Sequence, residues 1–174
     1  MAVQLYIAMS LDGFIADREG GVAWLEAYGS EGDDHGYADF MREVGAIAIG
    51  ATTYEQILGW GWPYGETPAW VFTHRELEIP QGADVRFTDR PPAEVVPELK
   101  SETEKNIWLV GGGVLAKQFL DEGLVDELIL GLVPELLGEG IPLFPGVRPA
   151  KAELTDATSH PSGIVMLRYG LPRA

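Results

Sequence analysis

The chain has no cysteine, and only 12 of its 174 residues are Lys or Arg and only three are His. Without thiols there can be no disulfide, no thiolate metal centre and no cysteine nucleophile. With 27 acidic side chains against those 12 basic ones, the formal charge of −15 repels phosphate backbones and anionic bilayers at long range. Nucleic acid and membrane are therefore not expected as partners. No apolar run approaches the ~20 residues needed to cross a bilayer. The start "MAVQLYIAMSLDG" has neither the basic opening nor the small-residue cleavage site of a secretory signal. A soluble, cytoplasmic protein is the expectation. The G-x-S-x-G elbow is missing, and the His residues at 35, 74 and 160 are scattered, so nucleophilic catalysis finds no support.

What is present is a hydrophobic content of 46%, spread along the chain without repeat, low-complexity tract or linker. At this length the expectation is a single domain, 1–174, with one sizeable core. Val3, Leu5, Ile7 and Met9 alternate with Gln4, Tyr6, Ala8 and Ser10, the pattern of a strand. Tyr37, Phe40, Met41 and Val44 share a helix face. "AIAIG" (46–50) is a short apolar run of the kind found in a central strand covered on both sides. Thr52, followed three residues later by Glu55, has the spacing of a capping box at the start of the next helix. Strands are predicted at 68–75 and 84–88, a helix at 91–102 weakened by Pro97, a strand in "NIWLVG" and a helix in "VLAKQFLDEG" with Leu115, Phe119 and Leu120 inward. From 125 onward "VDELILGLVPELL", "AELTDATSH" and "IVMLRYG" read as extended, the last two about a turn at "HPSG". The predicted fold class is α/β: a three-layer sandwich with a mainly parallel central sheet, helices on both faces and a C-terminal antiparallel hairpin.

Two strand-to-helix junctions carry the chemistry. In "IWLVGGGVLAK" a buried strand runs into Gly111, Gly112 and Gly113. At the carboxyl end of a parallel strand such bare backbone lets ligand phosphates approach the positive end of the following helix. A tight turn alone would also use these glycines, and neither the strict dinucleotide fingerprint nor a P-loop is present. "IGATTYEQ" repeats the arrangement with Gly50, Thr52 and Thr53, so two helix N-termini could clamp a pyrophosphate; Thr52 as a plain cap is the competing reading. Thr73, His74 and Arg75 follow the next strand, where a guanidinium suits a phosphate monoester, although a surface Arg is more often simply solvated. The loop "GWGWPYGETPAW" with Trp60, Trp62, Tyr64 and Trp70 can wall a heteroaromatic ring, or pack on a partner subunit or on the protein's own core. Asp33, Asp34 and His35 read as a solvated helix start rather than a metal site, so no metal is expected. Asp12 reads as a turn residue, and Asp39 sits beside the inward Phe40.

Taken together, "IAMSLDGFIA", "IGATTYE", "LVGGGVLAKQFL" and "LVDELILGLVPELLGEGIPLF" resemble the dihydrofolate reductase-like superfamily, in particular its branch related to the C-terminal reductase domain of bifunctional riboflavin-biosynthesis deaminase-reductases. The resemblance covers almost the whole chain. It implies an NADPH-dependent reductase that passes a hydride to a small pteridine- or pyrimidine-like substrate. It places Ala8 and Ile15 at the nicotinamide, Gly50 and Thr53 on one side of the pyrophosphate and Gly112, Gly113, Val114 and Leu115 on the other, next to the Thr52 and Gly111 that the junctions themselves point to. Thr73 and Arg75 fall near the adenosine 2'-phosphate; hydride transfer needs a dry slot for the substrate, which Trp24 and, in the aromatic loop, Trp60 and Trp62 could help close. It also implies a homodimer, which the apolar segment 125–137, read as an edge strand, would favour. Where relatives carry Arg, this chain has Ala51, so NADH is an alternative cofactor. Riboflavin-pathway reductases place Lys where Tyr6 stands and Glu where Val110 stands. Dihydrofolate reductases need a carboxylate on the first helix, for which Asp34 and Asp39 are the candidates. Two competing functions are a non-catalytic binding module on the same fold and a flavin or quinone reductase.

Overall fold

The computed structural model describes residues 1–29 and 32–172. Strand β1 (Val3–Ser10) is followed by β2 (Phe14–Ala16), a 3-10 helix (Ala23–Tyr28) and α1 (Tyr37–Glu43). Then come β3 (Val44–Gly50), α2 (Ala51–Trp60), β4 (Ala69–Phe72), β5 (Val85–Thr88), α3 (Pro92–Glu102), β6 (Asn106–Gly111) and α4 (Gly113–Asp121). The chain ends with β7 (Glu127–Val133), β8 (Ile141–Pro142), β9 (Glu153–Ser159) and β10 (Val165–Gly170).

Eight strands form one sheet in the order β5-β4-β3-β6-β1-β7-β10-β9. The first six are mutually parallel, and β10 and β9 add as an antiparallel hairpin. Alternation along each strand divides the core by face. Val3, Leu5, Ala46, Ala48, Ile107 and Leu109 point toward α3 and α4, whose Val95, Leu99, Leu115 and Phe119 complete one apolar layer. Ile47, Ile49, Trp108 and Val110 point the other way, onto Phe40 of α1 and Tyr54 and Ile57 of α2. Central strands buried on both sides explain why "AIAIG" and "NIWLVG" have almost no polar residues.

Several expectations change. Thr52 does not cap α2: the helix starts two residues earlier than such a cap would place it, Gly50 is its N-cap, and no side chain bonds to the cap. Glu55 turns to Arg75 instead of back to the helix start. Segment 125–137 is not an edge, because β7 is hydrogen-bonded to β1 on one side and β10 on the other. The edge beyond the hairpin is β9, exposed along its whole length. Pro97 stays inside α3, since Val95, Val96 and Leu99 are buried and their packing outweighs one lost backbone bond. Strands β2 and β8 are too short for a detectable period. Gly140 joins them closely: a Cβ there would lie 2.2 Å from the Ala16 carbonyl oxygen.

Candidate functional site

Because β1, β3, β4 and β6 are parallel neighbours, their carboxyl ends open on one side of the sheet, where such folds bind ligands. The three glycines at the end of β6 have separate reasons. Gly111 and Gly112 have φ of 132° and 94°, a region that side chains with a Cβ rarely adopt. Gly113 has no such torsion, but a Cβ on it would come within 2.7 Å of the Pro142 carbonyl oxygen. Thus "GEGIPLF" and "GGG" are paired motifs: the β8 strand lies directly on the start of α4.

The two junctions face one another. A Cβ on Gly50 would sit 3.5 Å from the Gly111 carbonyl oxygen, and one on Gly112 would sit 3.4 Å from Thr53 Oγ1. Thr53 is half-buried and Thr52 exposed, while Val114, at the start of α4, is 74% exposed despite being apolar. The first-turn N–H groups of α2 and α4 lack intrahelical acceptors by geometry, so both helices present positive ends to the same cleft. The backbone between them is bare, and helix N-termini over bare backbone are the kind of surface that takes an anion.

Ala8 lies toward the same end of β1, opposite Gly131 of β7; a Cβ on Gly131 would be 3.7 Å from the Ala8 Cα. Ile15 falls at an irregularity in the β2–β8 ladder, between the paired residues Phe14 and Ala16. Asp12 does more than turn the chain: it accepts hydrogen bonds from Ser10 Oγ and from the N–H groups of Leu137 and Gly138. These bonds hold its carboxyl below the usual range, that from Ser10 most strongly.

Beyond β4, Thr73 Oγ1 accepts from the Arg75 N–H at 3.0 Å. The Arg75 guanidinium is engaged by the Glu55 carboxylate, whose pKa its hydrogen bonds, and then its charge, keep low. His74 is exposed, 3.9 Å from Asp89.

The aromatic residues separate into two groups. Trp62 and Tyr64 pack edge-on to each other, on Tyr54 and on Trp108, so this part of the loop belongs to the core. Trp60 is 66% exposed at the end of α2. Trp24, on the 3-10 helix, presents a buried indole N–H with no acceptor among the described residues, a donor available to a ligand. A cluster the sequence does not single out is Tyr6, Tyr37, Phe40 and Trp108. Tyr6 stacks on Phe40 at 4.4 Å, and Trp108 Nε1 donates to the Tyr6 carbonyl at 3.2 Å. Burial, and then the Asp34 carboxylate, push the Tyr6 phenol up to about 12, so it keeps its proton at neutral pH. The signal for it is Tyr6 and Trp108 on strand faces that turn toward α1, which carries Tyr37 and Phe40, visible only once strand order is known.

The two carboxylates part company. Asp34 accepts the N–H groups of Ala38 at 2.7 Å and Gly36 at 3.0 Å, and these bonds lower its pKa. It is an anion that secures the start of α1, beside Tyr6. Asp39 is not brought to this end: it pairs with Arg42 on the surface and borders a hollow with Gln4, Asn106 and Arg168, at the amino ends of β1 and β6.

A family model for the RibD C-terminal domain matches residues 1–166. The uncharacterized protein YwjB of Bacillus subtilis (strain 168) is 39% identical over 142 residues, covering 80% of each chain. Among solved structures, a dihydrofolate reductase from Enterococcus faecalis complexed with NADP(H) superposes with a TM-score of 0.70 at 17% identity, covering 98% of this chain and 96% of that one. A diaminohydroxyphosphoribosylaminopyrimidine deaminase/5-amino-6-(5-phosphoribosylamino)uracil reductase from Thermotoga maritima superposes at 0.74 with 16% identity, over 98% of this chain and 56% of that one. At those identities the likeness establishes the fold, which is that of dihydrofolate reductase.

Proposed function

The chain belongs to the RibD C-terminal domain family, and from that premise we propose that it is a reductase that binds a nicotinamide dinucleotide across the α2 and α4 junctions and delivers a hydride to a small heteroaromatic acceptor. The observation that carries this reading is the approach of Gly112 to Thr53: two helix N-termini opening onto one strip of bare backbone. When bound, the reduced nicotinamide supplies the hydride.

The protein's own residues supply binding, orientation and exclusion of water. Gly50, Thr52 and Thr53 hold one side of the diphosphate through α2. Gly111, Gly112, Gly113, Val114 and Leu115 hold the other through α4. Backbone groups of Ala8 and Ile15 orient the carboxamide, and Thr73 and Arg75 lie toward the adenosine end. NADPH is the cofactor of this proposal. Ala51 and the Glu55 carboxylate beside Arg75 both weaken the grip on a 2'-phosphate, so NADH is the alternative the binding measurement decides.

The acceptor lies over Tyr6, on the same face of β1 as Ala8 and two residues from it, with Trp24 donating from above. Tyr6 holds a phenolic proton in that slot, whereas Asp34 is ionised and occupied with α1. Pteridine- and pyrimidine-like rings are the substrate class. An anionic, helix-bound Asp34 also favours a second reading, in which a flavin or quinone takes the hydride without a proton from Asp34. A phosphoribosyl pyrimidine is disfavoured, since Tyr6 and Val110 stand where riboflavin-pathway reductases carry charged residues. Neither Asp39, at the far end of the sheet, nor Trp62, packed in the core, belongs to this slot. Trp60 would reach it only from the exposed end of α2.

The homodimer is part of the proposal on the resemblance alone, because β7 is paired on both sides; sedimentation velocity tests it. Among the described residues no helix is long and apolar enough to cross a membrane.

The decisive experiment is loss of reduced-nicotinamide absorbance with a panel of pterins, ribosylaminopyrimidines, flavins and quinones, run beside calorimetric titration of NADPH and NADH. Oxidation with one acceptor class identifies the substrate. Binding without oxidation across the panel would make the chain a binding module, and no binding at millimolar nucleotide would overturn the reading.

A further inference from the structure

Three side chains that the proposed reaction does not use meet on the outer side of the α1 end of the molecule. Asp33 and His35 come from the loop before α1, and His160 opens the turn between β9 and β10, 127 residues after Asp33. One ligating atom from each lies within 4.8 Å of the other two. His160 Nδ1 is 2.9 Å from Asp33 Oδ2 and 3.0 Å from Oδ1. The two imidazole rings are 4.8 Å apart between centroids, and His35 Nε2 is 2.9 Å from Ser162 Oγ. The group is sheltered: the side chains of His160 and Asp33 are 15% and 26% exposed.

We propose that Asp33, His35 and His160 form a binding site for a divalent first-row transition cation of the zinc class, with the Ser162 hydroxyl or a water as fourth donor. Two imidazoles and one carboxylate are a borderline donor set, suited to Zn2+, Co2+ or Ni2+ and poorly suited to Mg2+ or Ca2+, which take oxygen. A tetrahedral ion with bonds of ~2.1 Å needs donors roughly 3.4 Å apart. His160 Nδ1 and Asp33 Oδ2 are 2.9 Å apart and all three ligand atoms lie within 4.8 Å of one another, a spread that brackets that value.

Two hydrogen bonds pin the turn to the loop, His160 to Asp33 and His35 to Ser162, and together they set two imidazoles and a carboxylate from distant parts of the chain side by side; His35 adopts φ of 55°, followed by Gly36 at 82°. The cation would join the β9–β10 hairpin to the start of α1. The strongly acidic chain raises the local concentration of cations around it.

The inference does not depend on the nucleotide reading. It is tested on untagged, chelator-treated full-length protein by titration with Co2+, followed by its visible absorption, and with Zn2+ by calorimetry. One equivalent per chain, with the intense bands of tetrahedral cobalt, is expected. His160→Ala and His35→Ala should each lower Zn2+ affinity by about tenfold or more, with the circular dichroism spectrum preserved. Absence of saturable one-to-one binding, or binding that survives both substitutions, would overturn the assignment. Imidazole nitrogen resonances of the unsubstituted protein give a check independent of folding. Zn2+ should move those of His35 and His160 and leave exposed His74 in place. Movement of His74 alone would sink the proposal.

Discussion

Arg75 and Glu55 form a two-pronged ion pair across the gap between the β4 end and α2, with Nη1 donating to Oε1 at 3.1 Å and Nη2 to Oε2 at 2.7 Å. Both side chains are substantially exposed, 57% and 44%, so the pair contributes little to stability and a doubly charged phosphate can compete for the guanidinium. Arg75→Ala should therefore weaken NADPH by about tenfold more than NADH. Glu55→Gln should strengthen NADPH a few-fold, at roughly constant NADH affinity, by freeing the guanidinium. Calorimetric titration of both nucleotides against both variants checks this; equal losses for the two nucleotides would remove Arg75 from the adenosine end.

The glycines of the α4 junction should fail in different ways. Gly112→Ala places a side chain at φ of 94° and 3.4 Å from Thr53 Oγ1, directly in the proposed diphosphate strip. It should cost about 1–2 kcal/mol of stability and most of the nucleotide affinity. Gly113→Ala drives a Cβ to 2.7 Å from the Pro142 carbonyl oxygen, so the backbone itself must move. A loss of about 1–3 kcal/mol is expected, seen as a lower urea midpoint.

Thr52 is exposed and makes no cap bond, since α2 begins at Ala51. Thr52→Ala should change stability by less than about 0.5 kcal/mol. A capping role would instead show a loss near 1 kcal/mol in the same denaturation experiment.

Tyr6→Phe should leave nucleotide affinity unchanged and slow turnover of proton-requiring pteridine or pyrimidine acceptors by about tenfold to a hundredfold. Flavin or quinone reduction should be indifferent to it. Steady-state kinetics with one acceptor of each class measures the difference. A phenol held at about 12 remains protonated through the neutral range, so no rate change from its titration is expected below pH 10.

Asp12 and Asp34 have folded-state pKa values depressed below their unfolded values by hydrogen bonds. Their contribution is present above the unfolded carboxylate value and is lost as pH falls through the folded one. Stability should therefore drop below about pH 4, and Asp12→Asn together with Asp34→Asn should flatten that acid limb relative to the plateau. Thermal melts from acid to neutral pH test it; an unchanged slope in the double variant would contradict the assignment.

How far the sequence could be read depended on the distance over which its signals act. Alternation in Val3–Ser10, the solid apolar run of 46–50 and the helix face of Leu115 and Phe119 are local patterns, and all three elements are present with the expected residues inward. The Thr52–Glu55 spacing is equally local, but Arg75, brought near by the β4 crossover, competes for Glu55 and wins. Segment 125–137 reads as an apolar edge strand, and that reading fails: only Glu127–Val133 is strand, and β1 and β10 of the same chain cover both its edges. The aromatic loop leaves three uses open, and the positions of Tyr54 and Trp108 decide that Trp62 and Tyr64 pack on the core.

From the one-dimensional pattern alone came the α/β class, the parallel strands and the two glycine-bearing strand-to-helix junctions, because burial periodicity and backbone permissiveness are written within a few residues. Strand order was decided only in three dimensions, and with it every meeting of distant groups: Gly112 with Thr53, Gly113 with Pro142, Glu55 with Arg75, and His160 with Asp33 and His35. Such contacts depend on which crossover sets which strand beside which, a choice made by the packing of two apolar faces at once and encoded at no single position.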